Sequence, residues 1–219
     1  MNSFTEENYL KAIYKLLEGN HGPVTTNALA EALLTRAASV TDMLKKLSGK
    51  KLIHYRRYYG VSLTAAGRKV AVNVIRKHRL WELFLVEKLH FRWDEVHEIA
   101  EQLEHIISEE LTYRLDRFLG YPKFDPHGDP IPDRNGRIVQ PRVFLLSEME
   151  RKSYCVISGV ADHSPAFLHF LDKTGLGPGD ELKVEDIIEY DRSMQLVLGR
   201  KKKIHLSYEA AKNILVRKK

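Results

Sequence analysis

Between Phe4 and Leu17 the apolar residues Phe4, Tyr9, Leu10, Ile13, Tyr14, Leu16 and Leu17 recur at helical spacing, which predicts an amphipathic helix ended by Gly19. After a turn at His21-Gly22-Pro23, Thr25 or Thr26 caps a short helix carrying Leu29, Ala30, Leu33 and Leu34. A second short helix is predicted from Ala37 to Leu47, with Val40, Met43, Leu44 and Leu47 turned inward. Leu52 to Leu63 reads as two strands around a turn, and Thr64 caps a long helix that follows. Val70, Val74, Leu80, Trp81, Phe84 and Leu85 make that helix more apolar than the N-terminal segment can cover, which predicts packing against a second subunit with Trp81 at the interface. Trp93-Asp94 opens another helix with Ile99, Leu103, Ile106 and Ile107 on one face, and a further helix runs from Ser108 to Leu119. Five Pro and three Gly between residues 120 and 141 mark an ordered loop or linker. Beyond it come strand-like runs at Tyr154 to Val160, Glu181 to Val184 and Met194 to Leu198, with a helix at Ser164 to Lys173. The order predicts a mainly α protein with a small β-barrel domain behind a helical core.

The paired short helices have the proportions of a helix-turn-helix, the second presenting Arg36, Ser39, Thr41, Asp42, Lys45 and Lys46 outward. The strand pair that follows is then a wing, with Arg56, Arg57 and Tyr58 at its tip. On this reading Arg36, Ser39, Thr41 and Asp42 face bases, while Lys45, Lys46, Arg56 and Arg57 hold phosphates. A small helical domain with a solvated basic hairpin would show the same pattern.

Sequence order, basic excess and wing chemistry together favour the DNA reader, although charge alone would also fit ordinary clustering in a soluble protein. Residues 1–80 hold 14 Lys and Arg against 5 Asp and Glu, residues 81–150 hold 8 against 15, and residues 151–219 hold 13 against 9. A basic first third suits nucleic acid and an acidic middle third suits cations. The 219 residues, 43% of them apolar, can fill one large or two to three small cores. The single cysteine, Cys155, excludes an intrachain disulfide, suits a reducing cytoplasm and reads as core. No apolar stretch resembles a signal peptide or a membrane span, so a cytoplasmic protein with no membrane partner is expected.

The candidate chemistry lies in the acidic third. His78 and Glu82 stand one helical turn apart, and Glu101, Glu104 and His105 follow His97 at offsets of 4, 7 and 8. On an unbroken helix those offsets fall within roughly 100° of arc. Carboxylate oxygens and imidazole nitrogens in that arrangement bind Mn(II), Fe(II), Co(II) or Zn(II), although a solvated acidic face would satisfy the same spacing. His97-Glu98-Ile99-Ala100-Glu101 approaches the zincin pattern but carries Glu where its second His belongs. Nucleophile patterns, a Walker loop and a dinucleotide fingerprint are lacking, so no catalytic residue is assigned and no enzyme is expected. Metal ligands beside a DNA reader indicate a metal-sensing transcription factor. The rival readings are a winged-helix regulator indifferent to metal and a metal-dependent hydrolase.

Glu7-Asn8-Tyr9-Leu10-Lys11-Ala12-Ile13-Tyr14, Leu63-Thr64-Ala65-Ala66-Gly67, Arg76-Lys77-His78-Arg79-Leu80-Trp81-Glu82 and Glu101-Gln102-Leu103-Glu104-His105 resemble the metal-dependent repressors of the diphtheria toxin repressor and manganese transport regulator family. Asp129-Pro130-Ile131-Pro132 and the Gly177-Pro178-Gly179 turn are similar to the long members, which end in an SH3-like domain. The resemblance implies a winged helix-turn-helix over residues 1–72, a helical metal-binding and dimerisation domain over 73–141, and an SH3-like β-barrel with its linker over 142–219. It implies a homodimer that represses metal-uptake genes from a pseudo-palindromic double-stranded operator, with Mn(II) or Fe(II) as cofactor at up to two sites per subunit. The primary site would use Asn8, Glu101, Glu104 and His105, with His78 near or in it. A second would draw on Glu82, His97, Asp125 and His127, with Asp162, or else His163, from the SH3-like domain. Glu101 stands where iron-type members carry Cys, which favours Mn(II) with Fe(II) next. Asn8 offers only an amide oxygen, and Lys11 replaces an acidic ligand of the short manganese regulators, which argues against their paired-metal arrangement.

Overall fold

The computed structural model describes residues 2–19, 22–199 and 202–219, so His21 of the predicted first turn lies outside the described residues. The chain forms two compact units, one comprising Met1–His78, Glu101–Thr112 and Pro132–Arg137, the other Arg79–Ala100, Tyr113–Ile131 and Ile138–Lys219.

In the first unit, helix α1 (Phe4–Gly19) starts from a reciprocal cap. Ser3 Oγ accepts from the Glu6 amide at 3.3 Å and Glu6 Oε2 accepts from the Ser3 amide at 2.9 Å, so both ends of the exchange satisfy otherwise orphaned donors. The helix buries Tyr9, Leu10, Ile13 and Tyr14 as its periodicity requires, and also Glu6 and Lys11, which periodicity does not foresee. Thr25 caps α2 (Thr26–Ala32) by accepting from the Ala28 amide. The predicted helix ran on to Leu34. Instead Leu34 adopts a left-handed conformation, φ 48°, and is 96% exposed, because the chain must turn sharply before α3 (Ala37–Gly49). Val40, Leu44 and Leu47 of α3 are buried as expected, while Met43 is half-buried. The wing is an antiparallel hairpin of β1 (Ile53–Arg56) and β2 (Gly60–Leu63), and Val24 bridges to Val61 of β2.

Thr64 Oγ1 accepts from the Gly67 amide at 3.1 Å and so starts α4 (Ala65–Leu89) as predicted. The next helix departs from expectation. α5 (Val96–Leu103) begins beyond Asp94 and ends at Leu103, so Glu104 and His105 lie in a turn closed by a bond from the Ile106 amide to the Leu103 carbonyl. The single-face geometry expected for His97, Glu101, Glu104 and His105 therefore does not extend to the last two. Both are instead fixed by partners far away in sequence. Ser108 caps α6 (Glu109–Phe118).

In the second unit Leu80, Leu83, Leu115 and Ile131 form a small apolar cluster, with Trp81, Phe84 and Leu119 packed against it. The C-terminal part is a six-stranded antiparallel sheet in the order β3-β8-β4-β5-β6-β7. Its strands are β3 (Phe144–Leu145), β4 (Tyr154–Val160), β5 (Glu181–Ile187), β6 (Met194–Leu198), β7 (Lys202–Leu206) and β8 (Ile214–Lys218). Helix α7 (Pro165–Thr174), capped by Ser164, and the short α8 (Tyr208–Ala211) complete it. Ile157, Leu168, Leu171, Val184, Leu196 and Val216 lie in its core, as does Cys155, whose thiol burial pushes up to about 11.

The proline-rich loop is ordered as predicted. Asp125 Oδ1 accepts from the amides of His127 and Asp129, and Gly128 adopts φ 89° where a side chain would meet the Ser158 carbonyl at 2.0 Å. The His127 carbonyl accepts from the Val160 amide at 3.0 Å, which pins the loop to β4.

Candidate metal centre

In the first unit, residues 101–105 meet one face of α1. Glu104 is fully buried, its Oε1 2.7 Å and Oε2 2.9 Å from Lys11 Nζ, and Oε2 lies 2.6 Å from His78 Nδ1. Burial alone would raise its pKa, but the hydrogen bond from His78 and the charge of Lys11 hold it below the usual carboxylate range. Lys11 Nζ also lies 3.3 Å from Glu101 Oε1. His105 donates from Nδ1 to Glu7 Oε2 at 2.7 Å, stacks on Phe4, and turns Nε2 toward Glu104 Oε1 at 3.6 Å. Asn8 Oδ1 is buried with no hydrogen-bond partner among the described residues. Asn8, Glu101, Glu104, His105 and His78 are thus all in this unit, whereas His97 is in the other.

The second cluster joins α4 to the proline-rich loop. Glu82, Asp125 and His127 are buried, and one ligand atom from each lies within 4.8 Å of the others. Glu82 Oε1 lies 3.1 Å from His97 Nδ1 and Oε2 3.6 Å from His127 Nδ1. Burial opposes charge on His127, but the Glu82 and Asp125 carboxylates and the Trp93 carbonyl together raise its pKa to about 9. Asp125 is raised to about 7, chiefly by burial and then by Asp129 and Glu82, with Arg79 opposing. Asp162 is not one of the three grouped residues; its Oδ1 accepts from the Ser164 amide. His163 of the same segment lies with its ring centroid 5.3 Å from that of His127.

Both clusters fit a borderline divalent cation by the chemistry of their donors. Each holds carboxylate oxygens and one imidazole whose outer N–H is spent on a fixed acceptor, Glu7 for His105 and the Trp93 carbonyl for His127. That leaves the inner nitrogen facing a carboxylate, the usual arrangement of a metal-binding histidine. The buried, unpartnered amide oxygen of Asn8 is a further donor awaiting a cation. Glu7 and Arg79 escaped the sequence-derived site, since neither stands in a His/Glu spacing, whereas Lys11 stands where the resemblance puts an acidic ligand of the short manganese regulators.

Of the residues expected to meet DNA, Arg36, Ser39, Asp42, Lys45, Arg56 and Arg57 are exposed and Thr41 is half-buried, its hydroxyl on the Ala37 carbonyl. Lys45 pairs with Asp42. Lys46 is less free than expected, because it and Lys50 both bind the buried Glu6 of α1, at 3.1 and 2.8 Å.

Three family matches cover nearly the whole chain. Residues 2–61 match the N-terminal DNA binding domain of the iron dependent repressors, 64–133 their metal binding and dimerisation domain, and 144–218 the FeoA domain. A solved manganese-dependent transcriptional repressor in complex with manganese superposes with a TM-score of 0.85 at 32% identity, covering 98% of this chain and 100% of that one. The chain belongs to the diphtheria toxin repressor and manganese transport regulator family. ScaR with bound cadmium is similar, with a TM-score of 0.76 at 33% identity over 98% of this chain and 99% of that one. The iron-dependent repressor IdeR of Mycobacterium leprae is 36% identical over 128 residues, 58% of this chain and 55% of its own length. The match thus spans about half the length of that curated relative. Among the described residues, no helix is long and apolar enough to cross a membrane.

Proposed function

We propose that this member of the family is a cytoplasmic transcriptional repressor that binds double-stranded operator DNA as a homodimer when loaded with Mn(II) or Fe(II). Residues 1–72 read DNA, 73–141 bind metal and pair the subunits, and 142–219 form the SH3-like domain. The observation that carries this reading is the junction inside the first unit, where Glu7 and Lys11 of α1 face Glu101, Glu104 and His105. Asn8, Glu101, Glu104 and His105 would hold the cation of the primary site, with His78 beside them. Glu82, His97, Asp125 and His127 would hold a second, joined by Asp162 from the SH3-like domain. Bound there, a divalent cation supplies a positive centre shared by donors from both sides of each cluster.

The chain's own residues convert that into control of DNA binding. α1 meets residues 101–105 through Phe4, Glu7 and Lys11, and through Glu6 it also grips Lys46 and Lys50 at the C-terminal end of α3, the predicted recognition helix. A change in how α1 seats on residues 101–105 is therefore felt by α3. By linkage, whatever factor the cation adds to DNA affinity, DNA adds to cation affinity. Oxygen and imidazole donors without thiolate favour Mn(II) first and Fe(II) next. In a symmetric dimer, exposed Arg36, Ser39 and Asp42, with the half-buried Thr41, would address half-sites about one DNA turn, or a multiple, apart. Lys45, Lys46, Arg56 and Arg57 would hold phosphates.

The test is operator selection from a random duplex library with Mn(II)-loaded protein, followed by binding to the selected duplex at fixed salt. Affinity should rise at least tenfold on adding Mn(II) or Fe(II) to the apo-protein and fall again with chelator. Affinity indifferent to metal and chelator would sink the reading.

A further inference from the structure

Lys11 is the anomaly of the first-unit cluster. Its residue is only 7% exposed, and its ammonium sits against both oxygens of the fully buried Glu104, at 2.7 and 2.9 Å, and 3.3 Å from Glu101. Sequence places it one helical turn beyond Glu7 and three residues beyond Asn8, so α1 carries a carboxylate, an amide oxygen and a cation within little more than one turn. A lysine rarely gives up hydration and rotamer freedom to this degree unless it neutralises something that costs more to leave bare. Here that is the carboxylate pair. Both lone-pair faces of Glu104 that a cation would use are taken, Oε1 and Oε2 by Lys11 and Oε2 also by His78. By contrast the neutral donors, Asn8 Oδ1 and His105 Nε2, are left without comparable engagement.

We propose that Lys11 is a tethered stand-in cation: its ammonium occupies the Glu101 and Glu104 carboxylates in the metal-free protein and has to withdraw from Glu104 before those oxygens can serve a divalent ion. The ammonium keeps the α1 junction formed and electrically balanced in the apo state, and it sets the metal concentration at which loading occurs. The charge argument fixes the sign. A unit positive charge within hydrogen-bond reach of the ligand oxygens opposes a second cation at the same oxygens. A neutral side chain of similar length removes that opposition and also removes the apo protein's compensation.

This inference rests on the reading of Glu101, Glu104 and His105 as a cation site, and the experiment separates the two. Mn(II) affinity is measured by isothermal titration calorimetry at fixed pH and ionic strength in a His127→Ala background, with the weakened second cluster fitted as a site separate from the first-unit cluster. Lys11→Met should bind Mn(II) at least tenfold tighter than the Lys11 protein. Its apo form should melt about 3 °C lower or more, with the deficit recovered on adding Mn(II). Equal or weaker Mn(II) affinity in a folded Lys11→Met protein overturns the role of Lys11. Failure of the Lys11 protein itself to bind Mn(II) overturns the site and the stand-in together. Should Lys11→Met not fold without metal, the unaltered protein supplies the answer through reductive methylation read by mass spectrometry. Lys11 should be protected in the apo-protein and become labelled with Mn(II) present, and protection unchanged by Mn(II) overturns the proposal.

Discussion

His127 Nε2 lies 2.8 Å from the carbonyl oxygen of Trp93. A carbonyl can only accept, so Nε2 carries a proton, while Nδ1 is directed at the Glu82 carboxylate, which with Asp125 keeps the ring doubly protonated near neutral pH. A cation bound there would displace the Nδ1 proton and leave the Nε2–H tautomer that the Trp93 carbonyl already holds. His127→Ala is expected to lower the Mn(II) stoichiometry by one per chain, or the affinity of that cluster by about tenfold or more. First-unit binding should survive. Calorimetric titration of the two proteins side by side checks this, and unchanged stoichiometry and affinity would remove the second cluster from consideration.

Glu6 offers a prediction about pH. Burial would raise its pKa, but Lys50, the Ser3 amide and Lys46 together lower it to about 2. A carboxylate depressed on folding contributes stability above its unfolded pKa and loses it as pH falls through the folded one. Glu6→Gln should therefore cost about 1–3 kcal/mol near neutral pH, with the difference from the unaltered protein shrinking between pH about 4.5 and about 2. Denaturant unfolding across that range measures it. A difference that grew on acidification would contradict the assignment.

Gly128 controls the loop that carries two of the second cluster's residues. With φ at 89° and the Ser158 carbonyl 2.0 Å from where a Cβ would stand, Gly128→Ala must either strain the loop or push it off β4. A loss of about 2–4 kcal/mol in unfolding free energy is expected, together with weakened Mn(II) binding at Glu82, Asp125 and His127. Unfolding curves with and without Mn(II) would show both effects.

At the wing, the Arg57 guanidinium lies 4.9 Å from the centroid of the exposed Tyr58 ring. Arg57→Ala should weaken binding to matched and mismatched duplexes alike and make the slope of log affinity against log salt shallower by about 0.9. A loss confined to one base position would instead mean direct base reading.

The periodic elements were legible because their signals are local. Thr64 and Ser164 announce helices with their own side chains, and the alternation of β4 and β6 shows in Tyr154 to Val160 and Met194 to Leu198. β7 and β8 were not seen, since Lys202, Lys203, Arg217 and Lys218 dilute the apolar pattern at one end of each strand. Helix ends at Ala32 and Leu103 were missed for a different reason. They are decided by a left-handed turn at Leu34 and by Glu104 and His105 reaching α1, neither of which leaves a mark on spacing. The candidate ligands of the first unit could be named from residue type and resemblance. Lys11 was marked by the resemblance as standing at a ligand position, but that it would pair with Glu104, and that Glu7 would orient His105, depends on pairings across more than 90 residues.

Cys155 has a practical consequence. Sealed in the sheet core and shifted to about 11, the chain's one sulfhydryl stays protonated and shielded near neutral pH. A maleimide fluorophore attached to a cysteine introduced at Tyr59 would then carry essentially all the label. Movements of the hairpin tip during titration could be followed optically, without first stripping the native thiol.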